Sequence, residues 1–224
     1  MGALLVMLMA ASPAAVQLNT EGFRLYRQGE FEPALSKFQQ AVAADEKYAL
    51  AHYNAAATMA RLQGAADPCG GGVGYDVLGE LTRAIELDPG RRKRALADSD
   101  FKPLMGTLAY RRLLFGITEK TNLRLLLEGT FFTSFASWGS YGNLVNLRFL
   151  PNGKLLLGIR EISDSDNVVV DHPGTWRVEG NTLHIRMKRA ADKKYEGKAT
   201  FANDELEFPS LGKLVNYVSG ACDA

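Results

Sequence analysis

The chain has 224 residues, with 26 basic and 25 acidic side chains and a formal net charge of +1. That length allows one or two domains, each able to bury its own core. The charge balance excludes a strongly basic nucleic-acid module, because phosphate binding needs a basic footprint.

Residues 3–11 are apolar, and Ser12-Pro13-Ala14-Ala15 supplies small residues at a plausible cleavage point. This is the composition of a secretory signal's apolar core and exit site, so residues 1–15 are expected to direct export to a periplasmic or extracellular compartment. A basic leader is missing. Either the start lies inside a longer signal, or the run is an apolar amino-terminal helix packing on the next helices of the chain. The run is too short to span a bilayer, and no later stretch reaches the roughly 18 apolar residues required.

The stretch 18–89 organises the amino-terminal half. Gly22 is followed by Leu25, and Ala34 by Phe38 and Ala41, at steps of three and four. Those steps keep residues on one helical face. Ala56 and Met59 repeat Gly22 and Leu25 after 34 residues, and Val77, Leu81 and Ala84 repeat Ala34, Phe38 and Ala41 after 43. About nine residues are therefore inserted in the second copy, within 65–75. Small side chains let antiparallel helices approach, and the larger ones fill the groove. Gly29 falls where a short turn between helices is needed, and such pairs bury their apolar faces by stacking.

This pattern resembles the tetratricopeptide repeat. Copy one matches at Leu18, Gly22, Leu25, Gly29, Ala34, Phe38 and Ala41; Leu18 stands at the family's Trp position and Glu46 at its Pro position. Copy two has His52 at the Trp position and keeps Asp88-Pro89. The resemblance implies that the first helix of each repeat lines a groove for an extended peptide or partner surface. The matching positions are Asn19, Phe23, Tyr26 and Arg27 in copy one, and Tyr53, Ala57 and Arg61 in copy two. Aromatic and Arg side chains are the types that anchor interfaces. The version that grips a terminal carboxylate needs Lys at Asn19 and Asn at Phe23, and this chain has neither.

The insertion carries Cys69 and four glycines in five residues, so it reads as a loop. It lacks the Gly-Lys-Ser/Thr of a phosphate loop. Cys222 is the second cysteine; in an oxidising compartment the two could form a disulfide. Arg91-Arg92-Lys93-Arg94 reads as a solvated basic face. Asp98-Ser99-Asp100 reads as a helix cap before Phe101, Leu104, Met105, Leu108 and Leu113 to Phe115, a half-repeat closing a helical domain over 16–118. A linker at 119–122 comes next.

From Leu123 the pattern becomes that of strands. Val145, Leu147 and Phe149 alternate with polar residues, Pro151-Asn152-Gly153 marks a hairpin, and Leu155, Leu157 and Ile159 return. Trp176 and Val178 precede a turn at Glu179-Gly180-Asn181; Leu183, Ile185 and Met187 come after it. Tyr195 to Phe201 and Leu206 to Phe208 flank Asn203-Asp204, and a last strand is expected near 214–218. The fold class is thus multidomain α and β: helical hairpins, then an antiparallel β-barrel or sandwich over 123–224. Gly174-Thr175-Trp176 with Asn181-Thr182-Leu183 resembles two strands of lipocalin-like small barrels.

No catalytic, cofactor or metal residue is assigned. His52 occupies a packing position, His172 precedes Pro173 in an expected turn, and His184 points outward. The acidic segment from Ser163 to Asn167 lacks the oxygen spacing of a calcium loop. The expected function is an exported, non-enzymatic scaffold that binds a protein partner, with no nucleic acid and no membrane span. The alternative is a small apolar ligand held by Phe131, Phe132, Phe149, Leu157 and Trp176. A structural role in the cell envelope, with the repeats as a docking module, is a third possibility.

Overall fold

The structure is a computed structural model describing residues 11–65, 74–134, 145–162, 167–188, 194–208 and 212–216. Cys69, Cys222, most of the expected signal, the glycine-rich insertion and most of the acidic segment lie outside these residues. The described chain forms two compact units, one ending at Phe101 and the other beginning at Lys102.

The first unit is helical. It contains α1 (Pro13–Arg27), α2 (Phe31–Ala44), α3 (Ala49–Ala65), α4 (Val77–Leu87) and α5 (Gly90–Ala97). Ser12 caps α1 by accepting a hydrogen bond from Ala15 N at 3.2 Å, and Pro13 opens the helix with a preset φ. Residues 13–15, inside the expected signal, thus form the first turn of α1. The turn to α2 needs a left-handed residue, and Gly29 supplies it at φ +82°. Asp76 caps α4 by accepting from Gly79 N at 2.9 Å.

The small residues sit where helices meet. Gly22 is buried against Phe38; a Cβ built on it would lie 2.8 Å from the Phe38 ring. From Ala51 to Ala60, α3 is buried at every position but Asn54. A helix apolar on all sides has neighbours on all sides, and α3 packs on both α2 and α4. Four of the five expected equivalences hold in burial: Gly22 and Ala56, Ala34 and Val77, Phe38 and Leu81, and Ala41 and Ala84 are all buried, whereas Leu25 is half-buried where its counterpart Met59 is buried.

The second unit opens with α6 (Leu108–Phe115) and α7 (Glu119–Leu127). Here the structure departs from the sequence reading. Residues 119–122 are not a linker and Leu123 does not begin a strand; both belong to α7. The helix starts through Thr118, whose N–H donates to Thr121 Oγ1 at 2.8 Å, and restarts at a kink where Asn122 accepts from Leu125 N at 2.9 Å. The helical run beyond Phe101 likewise groups with the strands and does not close the first unit.

The strands are β1 (Phe131–Ser134), β2 (Val145–Phe149), β3 (Lys154–Ile162), β4 (Asn167–Glu179), β5 (Thr182–Lys188), β6 (Lys194–Ala202), β7 (Glu205–Phe208) and β8 (Gly212–Asn216). Each pairs antiparallel with the next, and β8 pairs back onto β1, so the sheet closes as a barrel and not a sandwich. The expected turns fall in place: Asn152, Gly153, Gly180, Asn203 and Asp204 all have positive φ, as tight hairpins of matching twist require. Leu123, Leu126 and Leu127 of α7 join the barrel core with Phe132, Leu147, Phe149, Leu157, Trp176 and Leu206. Arg112 of α6 donates from Nη1 to Asp204 Oδ2 at 2.7 Å and from Nη2 to Oδ1, clasping the β6–β7 turn. Arg111 Nε donates to the Leu126 carbonyl at 2.8 Å, occupying an acceptor at the end of α7.

Candidate functional site

The polar and aromatic face of α1 and α3 meets the segment after α5. A groove of about 160 Å³ lies there, lined by Phe23, Tyr26, Tyr53, Ala57, Asp98 and Asp100 among others. Small-molecule sites usually hold about 300–1,000 Å³, so this groove suits one or two side chains of a larger partner.

The predicted positions fare differently. Asn19 is buried and accepts from Asn54 Nδ2 at 2.9 Å, a lateral tie between α1 and α3. Phe23 is 48% exposed and stacks on Tyr26 with ring centroids 6.5 Å apart. Tyr26 donates its hydroxyl to Asp100 Oδ2 and meets Phe31 edge-on at 5.3 Å. Arg61 donates to Asp100 Oδ1 at 3.2 Å, with its guanidinium 4.9 Å from the centre of the Phe31 ring. Tyr53 is 1% exposed; its hydroxyl donates to Asp98 Oδ2 at 2.7 Å, and its ring meets Phe101 edge-on at 5.7 Å. Arg27 is exposed and does not line the groove. Of the predicted set, Phe23 alone combines a place in the groove with a large solvent-facing apolar surface. Tyr26, Tyr53 and Arg61 are held by the chain itself.

The residues that hold them were not singled out from sequence. Asp98 and Asp100 read there only as a helix cap. Asp98 Oδ1 does accept from Asp100 N at 3.1 Å, in a 3₁₀ turn over Ser99–Leu104. The same two carboxylates also collect Tyr26, Tyr53 and Arg61, and Arg94 stacks over Tyr53 at 5.5 Å. Burial, then the hydrogen bond to Asp100, pushes the Tyr26 hydroxyl well above its usual titration range. Arg61 and Arg94 balance Asp98 and Asp100, which leaves the groove near neutral.

His52 is buried as a packing residue, with Nδ1 2.6 Å from Glu80 and Nε2 3.0 Å from the Glu46 carbonyl. His172 is not in a turn. It lies within β4, 8% exposed, opposite Leu157 in the register. Pro173 is accommodated because β4 is paired there with β3, while pairing with β5 begins at Gly174; a residue without an N–H needs such a free side. Among the described residues no three His, Cys, Asp or Glu side chains gather as a metal site.

The barrel interior is occupied by its own side chains. Phe149 meets Trp176 edge-on at 5.0 Å and Phe132 at 5.8 Å, and Trp176 Nε1 donates to the Leu150 carbonyl at 3.1 Å. Phe131, expected inside, is half-buried and paired with the outward-facing Arg148. An eight-stranded barrel is just wide enough for such a filling.

No family model, no curated protein and no solved structure matches this chain. No helix among the described residues is long and apolar enough to cross a membrane.

Proposed function

We propose that the helical unit is a tetratricopeptide-type scaffold that docks an extended segment of a protein partner along α1 and α3. It acts after export and does no chemistry of its own. One observation carries this reading: Phe23 stands half-exposed at the mouth of a side-chain-sized groove, on the helix that the repeat spacing assigns to the binding face. A large aromatic ring left in water beside such a groove is the kind of group that anchors an interface. Export rests on the apolar run 3–11 and is tested by fractionating cells that express the full chain.

Tyr26 and Tyr53 are poor probes of docking, because their removal would also take a hydrogen-bond donor from each of two partly buried carboxylates, Asp100 and Asp98. Phe23 is the better one. The full chain, carrying a photo-crosslinking aromatic at position 23, is expected to capture one envelope protein. Capture from a crosslinker moved elsewhere on α1 should be lost on Phe23→Asp. Failure to enrich any partner, or equal capture by the Phe23→Asp chain, overturns the reading. The alternative of an apolar ligand in the barrel draws no support from an interior filled by Phe132, Phe149, Leu157 and Trp176.

A further inference from the structure

The barrel's outer surface carries a larger recess, of about 390 Å³, over β4, β5 and β6. Arg177, His184, Arg186 and Lys198 line it. The register explains their convergence. Arg177 is directly opposite His184, and His184 is directly opposite Lys198, so one row of nitrogen-bearing side chains crosses three strands. Arg186 lies two residues along β5, on the same face.

Like charges directly opposite one another on a sheet repel. Glu179 relieves one end of the row. It accepts from Arg177 Nε at 2.8 Å and lies 3.2 Å from His184 Nε2, and the hydrogen bond from Arg177 holds its carboxyl below the usual range. Glu196 occupies the register position opposite Arg186. Lys198, at the other end, makes no ion pair among the described residues. Three permanent cations thus border a volume in the range of small-ligand sites.

We propose that this recess binds a small oxyanion of charge two or more, bearing phosphoryl or carboxylate groups, with Lys198 and Arg177 as its cationic contacts and Glu179 as a resident competitor. Guanidinium forks suit both oxyanion geometries. Neighbouring strands set the row's side chains about 5 Å apart, which favours an ion with several anionic groups over a single point charge.

The full chain is titrated with pyrophosphate and, separately, with citrate at constant ionic strength, and followed by NMR. Saturable one-to-one binding of either is expected, with shifts confined to β4–β6. Tighter pyrophosphate binding assigns a phosphoryl ligand, and tighter citrate binding a carboxylate ligand. Lys198→Gln should weaken binding at least about tenfold, as loss of a charge-assisted contact does. Glu179→Gln should strengthen it about threefold or more, because a competing anion is gone. Both side chains are exposed, so the barrel stays intact, which circular dichroism verifies. The proposal is overturned if neither ion saturates, if sodium chloride gives the same shifts, if Lys198→Gln leaves affinity unchanged, or if Glu179→Gln weakens it.

Discussion

Replacing Gly22 by Ala tests the closeness of α1 and α2 with a single methyl group. An added Cβ would sit 2.8 Å from two carbons of the Phe38 ring and 3.1 Å from Lys37 Cβ. Comfortable carbon–carbon contact is about 3.5–4.0 Å, so the ring would have to withdraw by roughly 0.7 Å. Phe38 is 1% exposed, so withdrawing the ring breaks packing contacts it makes elsewhere. Overpacking of this kind costs about 1–3 kcal/mol. Opposing it, Ala is better than Gly inside a helix by about 1 kcal/mol. The net expectation is a helical unit about 1 kcal/mol less stable. In a Phe38→Leu background the ring atoms are gone, and the same change should be neutral or stabilising by up to about 1 kcal/mol. The coupling, about 2 kcal/mol, stands well above the scatter of independent sites. Hydrogen exchange of α1 and α2 amides in the full chain reads all four corners of the cycle. If Gly22→Ala raises protection while Phe38 is present, the close-packing account of the hairpin is wrong.

Other outcomes follow from the contacts described. Arg112→Gln and Asp204→Asn should show a coupling of about 1 kcal/mol in urea unfolding followed by tryptophan fluorescence, the upper end for a partly exposed pair with two-pronged geometry; additive effects would deny the clasp. Asp45 accepts from Ser12 N at 2.8 Å and Lys47 N at 3.0 Å, and these bonds, Ser12's first, lower its pKa from 3.8. Its contribution is therefore present above the unfolded pKa and lost as pH falls through the lower folded value, so Asp45→Asn should flatten the acid limb of stability. Tyr26 behaves in the opposite sense. Its folded pKa is raised, so its contribution is complete below about pH 10 and fades above it; the wild-type helical unit should lose stability there more steeply than Tyr26→Phe. Ser12→Ala should cost the helical unit about 1 kcal/mol, because the side-chain cap of α1 is lost; an unchanged unfolding midpoint would refute this.

The helical hairpins were legible because their information is local. Steps of three and four from Gly22 through Ala84 name the buried face directly, and Pro151, Asn152, Gly180 and Asn203 announce turns by backbone chemistry alone. The run from Leu123 to Leu127 was misread as strand because a short apolar stretch does not reveal its period. The caps at Thr118 and Asn122 decide it. His172 was misread because Pro173 suggests a turn, and only the strand pairing shows why it is tolerated. In the groove, Phe23 was legible from the repeat. The roles of Asp98 and Asp100 were not, since Tyr26 and Asp100 are 74 residues apart and nothing local joins them.

Barrel closure has a consequence for the order of events as the chain emerges. The helical hairpins join neighbours in sequence and can settle as soon as each pair is made. The barrel cannot, because β1 waits for β8, about eighty residues later. Until Gly212–Asn216 arrives, two strand borders stand open to other chains. A stop or frameshift just before that strand should therefore do more harm than its five residues suggest: an intact amino-terminal unit tethered to a sheet that seeks its missing seam in trans.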